Sequence, residues 1–78
     1  MPTILIINGY RFFFYSNDHE PIHIHIEKEN KTAKFNLIQV ELIKSRKMNA
    51  TELKKIRKLV EANKELFIER WYEYFGNK

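Results

Sequence analysis

The sequence predicts an α+β protein, in which an antiparallel sheet of four to five strands, built from two hairpins, precedes a long or kinked C-terminal helical segment packed on one face. Three observations carry this. Two β-branched and aromatic runs flank Asn8-Gly9, residues 22–27 alternate apolar with polar side chains, and after Met48 the apolar residues recur at three and four positions.

The first hairpin joins Thr3–Ile7 to Tyr10–Tyr15 through Asn8-Gly9, the pair that most easily supplies the two positive φ angles of a type I′ turn. Asn17 and Asp18 favour turns and Pro21 steers Glu20 away from helical angles, so 16–21 is a loop. In Ile-His-Ile-His-Ile-Glu (22–27) a strand sends Ile22, Ile24 and Ile26 to one face and His23, His25 and Glu27 to the other. Glu29-Asn30 turns the chain into Thr32–Leu37, with Ala33, Phe35 and Leu37 on its apolar side. Val40–Ile43 suits a short edge strand, although Leu37–Lys44 also reads as a helical turn.

Leu53, Ile56, Leu59, Val60, Leu66, Phe67, Trp71, Tyr74 and Phe75 form the stripe of an amphipathic helix, with Asn49 and Glu52 as a capping box and Gly76 as the stop. One helix over 50–75 would be roughly 39 Å long. That exceeds the span of so small a domain, so a bend is expected at Asn63, the polar interruption of the stripe. The chain is read as a single domain over 1–78, mainly β over 1–44 and helical over 49–75.

The 78 residues leave no room for a second domain, and 44% hydrophobic residues separate the chain from disordered ones. A domain this short hides only about 60% of its unfolded surface, which makes a partner protein or a homodimer an expectation. The absence of Cys removes disulfides, thiolate zinc sites and a Cys nucleophile. The longest N-terminal apolar stretch is Ile4–Ile7, far below a membrane span, so a cytoplasmic protein with no membrane partner is expected. A formal charge of +4 favours polyanionic partners.

All three histidines fall within 19–25, beside Asp18, Glu20 and Glu27. At strand spacing, His23 and His25 stand about 6.5–7 Å apart at Cα, close enough to share one metal ion or one scissile phosphate. For a metal, His19, Asp18, Glu20 or Glu27 would complete three ligands with an open position. Without metal, one imidazole serves as base and the other as acid, which suits cleavage of RNA at its own 2′-hydroxyl. Arg11, Lys34 or Lys31 would hold the phosphate. The plain alternative is that His23, His25 and Glu27 are the wet face of a half-buried strand.

A second constellation, Lys44, Arg46, Lys47, Lys54, Lys55, Arg57 and Lys58, holds seven of the 14 Lys and Arg. On a helix, Lys54, Lys55, Arg57 and Lys58 lie opposite Leu53, Ile56 and Val60, as a phosphate-tracking face or simply a solvated one. The run 10–15 alternates into Tyr10, Phe12, Phe14 and Arg11, Phe13, Tyr15; one set belongs to the core, and the other is a base-stacking platform or a packed second face.

Asn8-Gly9-Tyr10-Arg11-Phe12-Phe13-Phe14-Tyr15-Ser16-Asn17-Asp18, followed by His19-Glu20-Pro21 with His23 and His25, then Ala33-Lys34-Phe35 and the closing Trp71–Gly76, resembles the domain-of-unknown-function 4160 family of small prokaryotic proteins. The likeness spans nearly the whole chain, and its hallmark His-Glu-Pro-x-His-x-His is matched in full. Members of that family often carry Gly near positions 29–30 and 47, where this chain has Glu29, Asn30 and Lys47. The resemblance implies a component of a toxin and antitoxin module, and some members are labelled transcriptional regulators.

Histidine clustering, charge and resemblance together give the expectation of a toxin-like protein that binds RNA and cleaves it without metal, partnered by a cognate antitoxin-like protein. His23 and His25 form the acid-base pair, with His19 or Glu20 orienting them, and Arg11, Lys34, Lys54, Lys55, Arg57 and Lys58 contact nucleic acid. No cofactor is expected in that reading. The alternatives are a non-catalytic nucleic-acid- or protein-binding regulatory module, and a metal-binding protein or metal-dependent hydrolase with a divalent ion at His19, His23 and His25.

Overall fold

The computed structural model describes residues 3–15, 18 and 21–76. Five strands, β1 (Thr3–Ile7), β2 (Tyr10–Phe13), β3 (His23–Lys28), β4 (Lys31–Asn36) and β5 (Glu41–Arg46), are followed by α1 (Ala50–Ala62) and α2 (Lys64–Phe75). The sheet is a meander in chain order, every neighbour antiparallel. No described helix is long and apolar enough to cross a membrane.

Turn chemistry explains the hairpins. Asn8 and Gly9 take φ of 52° and 82°, closing the β1–β2 pair at Ile7↔Tyr10. The positive φ favours glycine at position 9; a Cβ there would lie 3.3 Å from Lys28 Cε, the end of a flexible side chain that can move aside. Glu29 and Lys47 also sit at positive φ, 57° and 63°. These are the positions where the resembling family tends to carry glycine.

A non-glycine residue in the left-handed region costs roughly 1–2 kcal/mol, of which glycine's extra unfolded freedom offsets roughly 0.5–1 kcal/mol. Glu29→Gly and Lys47→Gly are each expected to raise stability by about 0.5–1 kcal/mol. Urea midpoints that fall in both variants would show that the Glu29 and Lys47 turns are not strained.

Alternation sorts the faces. Tyr10, Phe12 and Phe14, Ile22, Ile24 and Ile26, and Ala33, Phe35 and Leu37 are buried together under Ile56 and Val60 of α1 and Phe67 and Trp71 of α2. Phe12 stacks on Phe67 at 5.3 Å between ring centroids. Burying these aromatic and aliphatic side chains is the dominant stabilising contribution, about 1.5–3 kcal/mol for each. Among the described residues, the opposite face of the sheet carries no helix.

The helical segment breaks at Asn63, as its place in the stripe predicts. Its φ of −113° departs from helical values, its backbone N–H and side-chain amide both donate to Leu59 O, and its carbonyl accepts from Phe67 N. The residue thus ends α1 and begins α2. Asn49 accepts from Glu52 N at 2.8 Å and donates its own N–H to Glu52 Oε1, closing the expected capping box. Glu52 Oε2 also accepts from Lys31 Nζ at 2.9 Å, which ties the start of α1 to β4. This contact assigns Lys31 to the helix side of the sheet.

Two sequence expectations need adjustment. The segment 37–40 is a turn, and the last strand runs through Arg46 instead of ending at Ile43, which adds Lys44 and Arg46 to the sheet. The β2 strand ends at Phe13, and Phe14 and Tyr15 leave the sheet.

Candidate functional site

The helix-free face is built by register. Phe13 lies opposite His25, His25 opposite Lys34, and Lys34 opposite Lys44, a row across four strands. The adjacent row is Arg11, Glu27, Thr32 and Arg46. Side chains directly opposite in an antiparallel pair have Cβ atoms about 4.5–5.5 Å apart, so each row acts as one continuous surface.

Between these rows and β5 lies a groove of about 480 Å³, lined by Phe13, Tyr15, His25, Ile26, Thr32, Ala33, Lys34, Lys44, Ser45 and Arg46. Among the described residues the lining holds three cationic side chains and no carboxylate. None of Lys34, Lys44 and Arg46 is ion-paired among the described residues.

The aromatic end of the groove is rigid. His25 stacks on Phe13 at 5.5 Å and meets the edge of Tyr15 at 4.6 Å, while the Arg11 guanidinium sits 4.1 Å above the Phe13 ring. Phe13 is buried beneath these neighbours, whereas Tyr15 is 44% exposed. Of the two alternating sets in 10–15, the first is core, as expected, and the second offers one exposed ring, Tyr15, over a buried one.

Asp18 joins the two histidines. Its Oδ2 accepts from Tyr15 N at 2.9 Å and its own N–H donates to Tyr15 O, a local turn that aims Oδ1 at β3. Oδ1 lies 3.1 Å from His23 Nε2 and 3.2 Å from His25 Nε2. Burial on its own would raise the Asp18 carboxyl, but the Tyr15 N–H and the two imidazoles outweigh it and hold the carboxyl below the usual range. Burial lowers the His25 pKa; Asp18 opposes this, and His23 and Lys34 add to it.

His23 corrects the expectation that both imidazoles project into solvent. It shares the pleat face of His25, with ring centroids 4.9 Å apart, yet it is only 4% exposed. The last β2–β3 pair is Phe13↔His25, so no strand flanks His23 on that side. Trp71 of α2 occupies the gap, 5.2 Å from the His23 ring and 5.2 Å from Phe14. A ring so enclosed is a poor acid or base for an external substrate.

The family becomes decidable once this geometry is set beside known proteins: the model of a domain of unknown function, DUF4160, matches residues 9–72. The chain belongs to this family. No curated protein and no solved structure matches it significantly. The DUF4160 match takes in Asp18, both described histidines, Trp71 and every residue of the groove.

Other expected site residues separate. His19 and Glu20 lie outside the described residues. Arg11 is engaged by Glu27 at 3.2 Å and by Thr3 Oγ1 at 3.0 Å, so it braces Phe13 more than it offers a free charge. Lys54, Lys55, Arg57 and Lys58 are exposed on α1, which packs on the other face of the sheet. Arg57 is paired there with Glu61. They form a second basic surface, apart from Lys34. Asp18, absent from the expected catalytic set, is the hub of the cluster, and Lys44 and Arg46 are sheet residues beside Lys34. Alternation along β4 alone does not find the last two, because the β4–β5 register shifts between Lys34 and Phe35.

Proposed function

We propose that this DUF4160 chain binds single-stranded RNA across the helix-free face of its sheet. The supporting observation is the in-register row Phe13, His25, Lys34, Lys44, with Arg46 beside it, in a groove whose described lining holds no carboxylate. Cations spaced along neighbouring strands suit successive phosphates, and the exposed Tyr15 ring gives a base a flat partner for stacking. Binding is favoured over metal-independent cleavage by a His23–His25 pair, because the buried His23 ring leaves His25 alone at the groove.

Within this reading a toxin-like role means sequestering RNA. The seat for a cognate antitoxin-like protein in this reading is β5, an edge strand exposed at all six residues, with Leu42 and Ile43 uncovered.

The test is fluorescence anisotropy of a labelled oligoribonucleotide across a salt series. Three phosphate contacts predict a slope of log affinity against log salt of about −2, from about −0.7 for each phosphate on a single strand. A flat response, or no binding at low salt, rejects the reading.

A further inference from the structure

His23 poses a tautomer problem that points to a ligand. Its Nδ1 lies 2.8 Å from Pro21 O. A carbonyl only accepts, so Nδ1 carries a proton and donates, which leaves Nε2 with its lone pair in the neutral ring. That Nε2 is buried, on a side chain 6% exposed, and no hydrogen bond reaches it among the described residues. The Asp18 Oδ1 at 3.1 Å is at ion-pair distance but lies out of hydrogen-bonding direction. In the neutral ring that lone pair and the Asp18 carboxylate oxygen face each other, which is the arrangement two ligands of one cation adopt.

We infer that Asp18, His23 and His25 bind one divalent transition-metal ion of the zinc class through Asp18 Oδ1, His23 Nε2 and His25 Nε2. Ligand bonds of about 2.0–2.1 Å in a tetrahedron set donor atoms roughly 3.3 Å apart, and Oδ1 lies 3.1 and 3.2 Å from the two imidazole nitrogens. One donor atom from each of the three residues falls within a set spanning no more than 4.8 Å. Two imidazoles and one carboxylate favour zinc, cobalt or nickel over calcium or magnesium, which prefer all-oxygen shells.

The surroundings are those of a built site. The His23 Nδ1–H to Pro21 O bond orients the imidazole as a ligating histidine requires, and Tyr15 N–H holds the second Asp18 oxygen. Phe13 and Tyr15 fix the His25 ring, and Trp71 fixes His23. Three protein ligands leave a fourth position for water or a ligand oxygen. The site shares His25 with the groove, but none of the observations that carry it depends on RNA binding.

The test is calorimetric titration of the chelator-stripped full chain with Zn²⁺ at neutral pH, repeated with Co²⁺ to follow visible absorption of a tetrahedral centre. One ion per chain is expected, with a thermal midpoint that rises with free Zn²⁺. Asp18→Asn, which keeps the side-chain shape, and His25→Ala, at a half-buried position, are each expected to weaken binding at least tenfold. No stoichiometric uptake by the wild-type chain overturns the inference, whatever the variants do. So does equal uptake by folded Asp18→Asn and His25→Ala. Nitrogen-15 spectra of the metal-free chain with both His23 nitrogens protonated at neutral pH also overturn it, since a proton then answers the lone pair.

Discussion

Reversing two charges on the last strand, Lys44→Glu with Arg46→Glu, is expected to weaken RNA binding by roughly 100- to 1000-fold while leaving the fold intact. A unit charge pair about 4 Å apart in a water-like medium is worth about 1 kcal/mol, so turning attraction into repulsion changes each site by about 2 kcal/mol. Two sites then give about 3–4 kcal/mol after screening, which is the stated loss in affinity. Both side chains are exposed and neither is in an ion pair among the described residues, so the substitutions fall in the class that changes stability by about 0.5 kcal/mol or less. The matched control is Lys54→Glu with Lys58→Glu on α1, which adds the same charge to the other side of the sheet. Anisotropy titrations of both double variants at one salt concentration separate the two basic surfaces. If the helix pair loses affinity and the strand pair does not, the groove is the wrong surface.

That contrast reflects what local sequence signals carry. The Asn8-Gly9 hairpin, the alternation of 22–27 and the stripe ending at Phe75 are short-range patterns, and each appears in the structure within one or two residues of its expected limits, except that β2 stops at Phe13. Even the break at Asn63 was legible, since a polar residue in an apolar stripe and a helix too long for its domain both mark the same place. The site depended on relations that no local window contains. Lys34 meets Lys44 only through the β4–β5 register, and that register includes an irregularity between Lys34 and Phe35. Asp18 reaches β3 because of a turn closed on Tyr15. Alternation correctly assigned His23 and His25 to one face, but a face is not an exposure. The position of His23 past the end of the β2 ladder lets a residue from the last helix cover it.

Trp71 is therefore the side chain through which the core and the histidine cluster are coupled, and Trp71→Ala is expected to be the most damaging single substitution in the molecule. The indole is 3% exposed and lies against Phe14, Phe75 and His23. Truncating a buried tryptophan costs about 3–5 kcal/mol, from lost transfer energy and the cavity left behind. A chain of this length has roughly 4–12 kcal/mol in total, so the variant retains little margin and its thermal midpoint should fall by well over about 10 °C. Trp71→Phe keeps a ring between Phe14 and His23 and should lose less than half as much. If indole burial is what encloses the imidazole, the alanine variant under conditions where it stays folded should also show a faster-exchanging His23 ring N–H than wild type. Circular dichroism melts give the first quantity and proton exchange spectra the second. A small loss of stability in Trp71→Ala with unchanged His23 exchange would mean that the loop and Asp18 enclose His23 without the helix, and that α2 is a cover for the core alone.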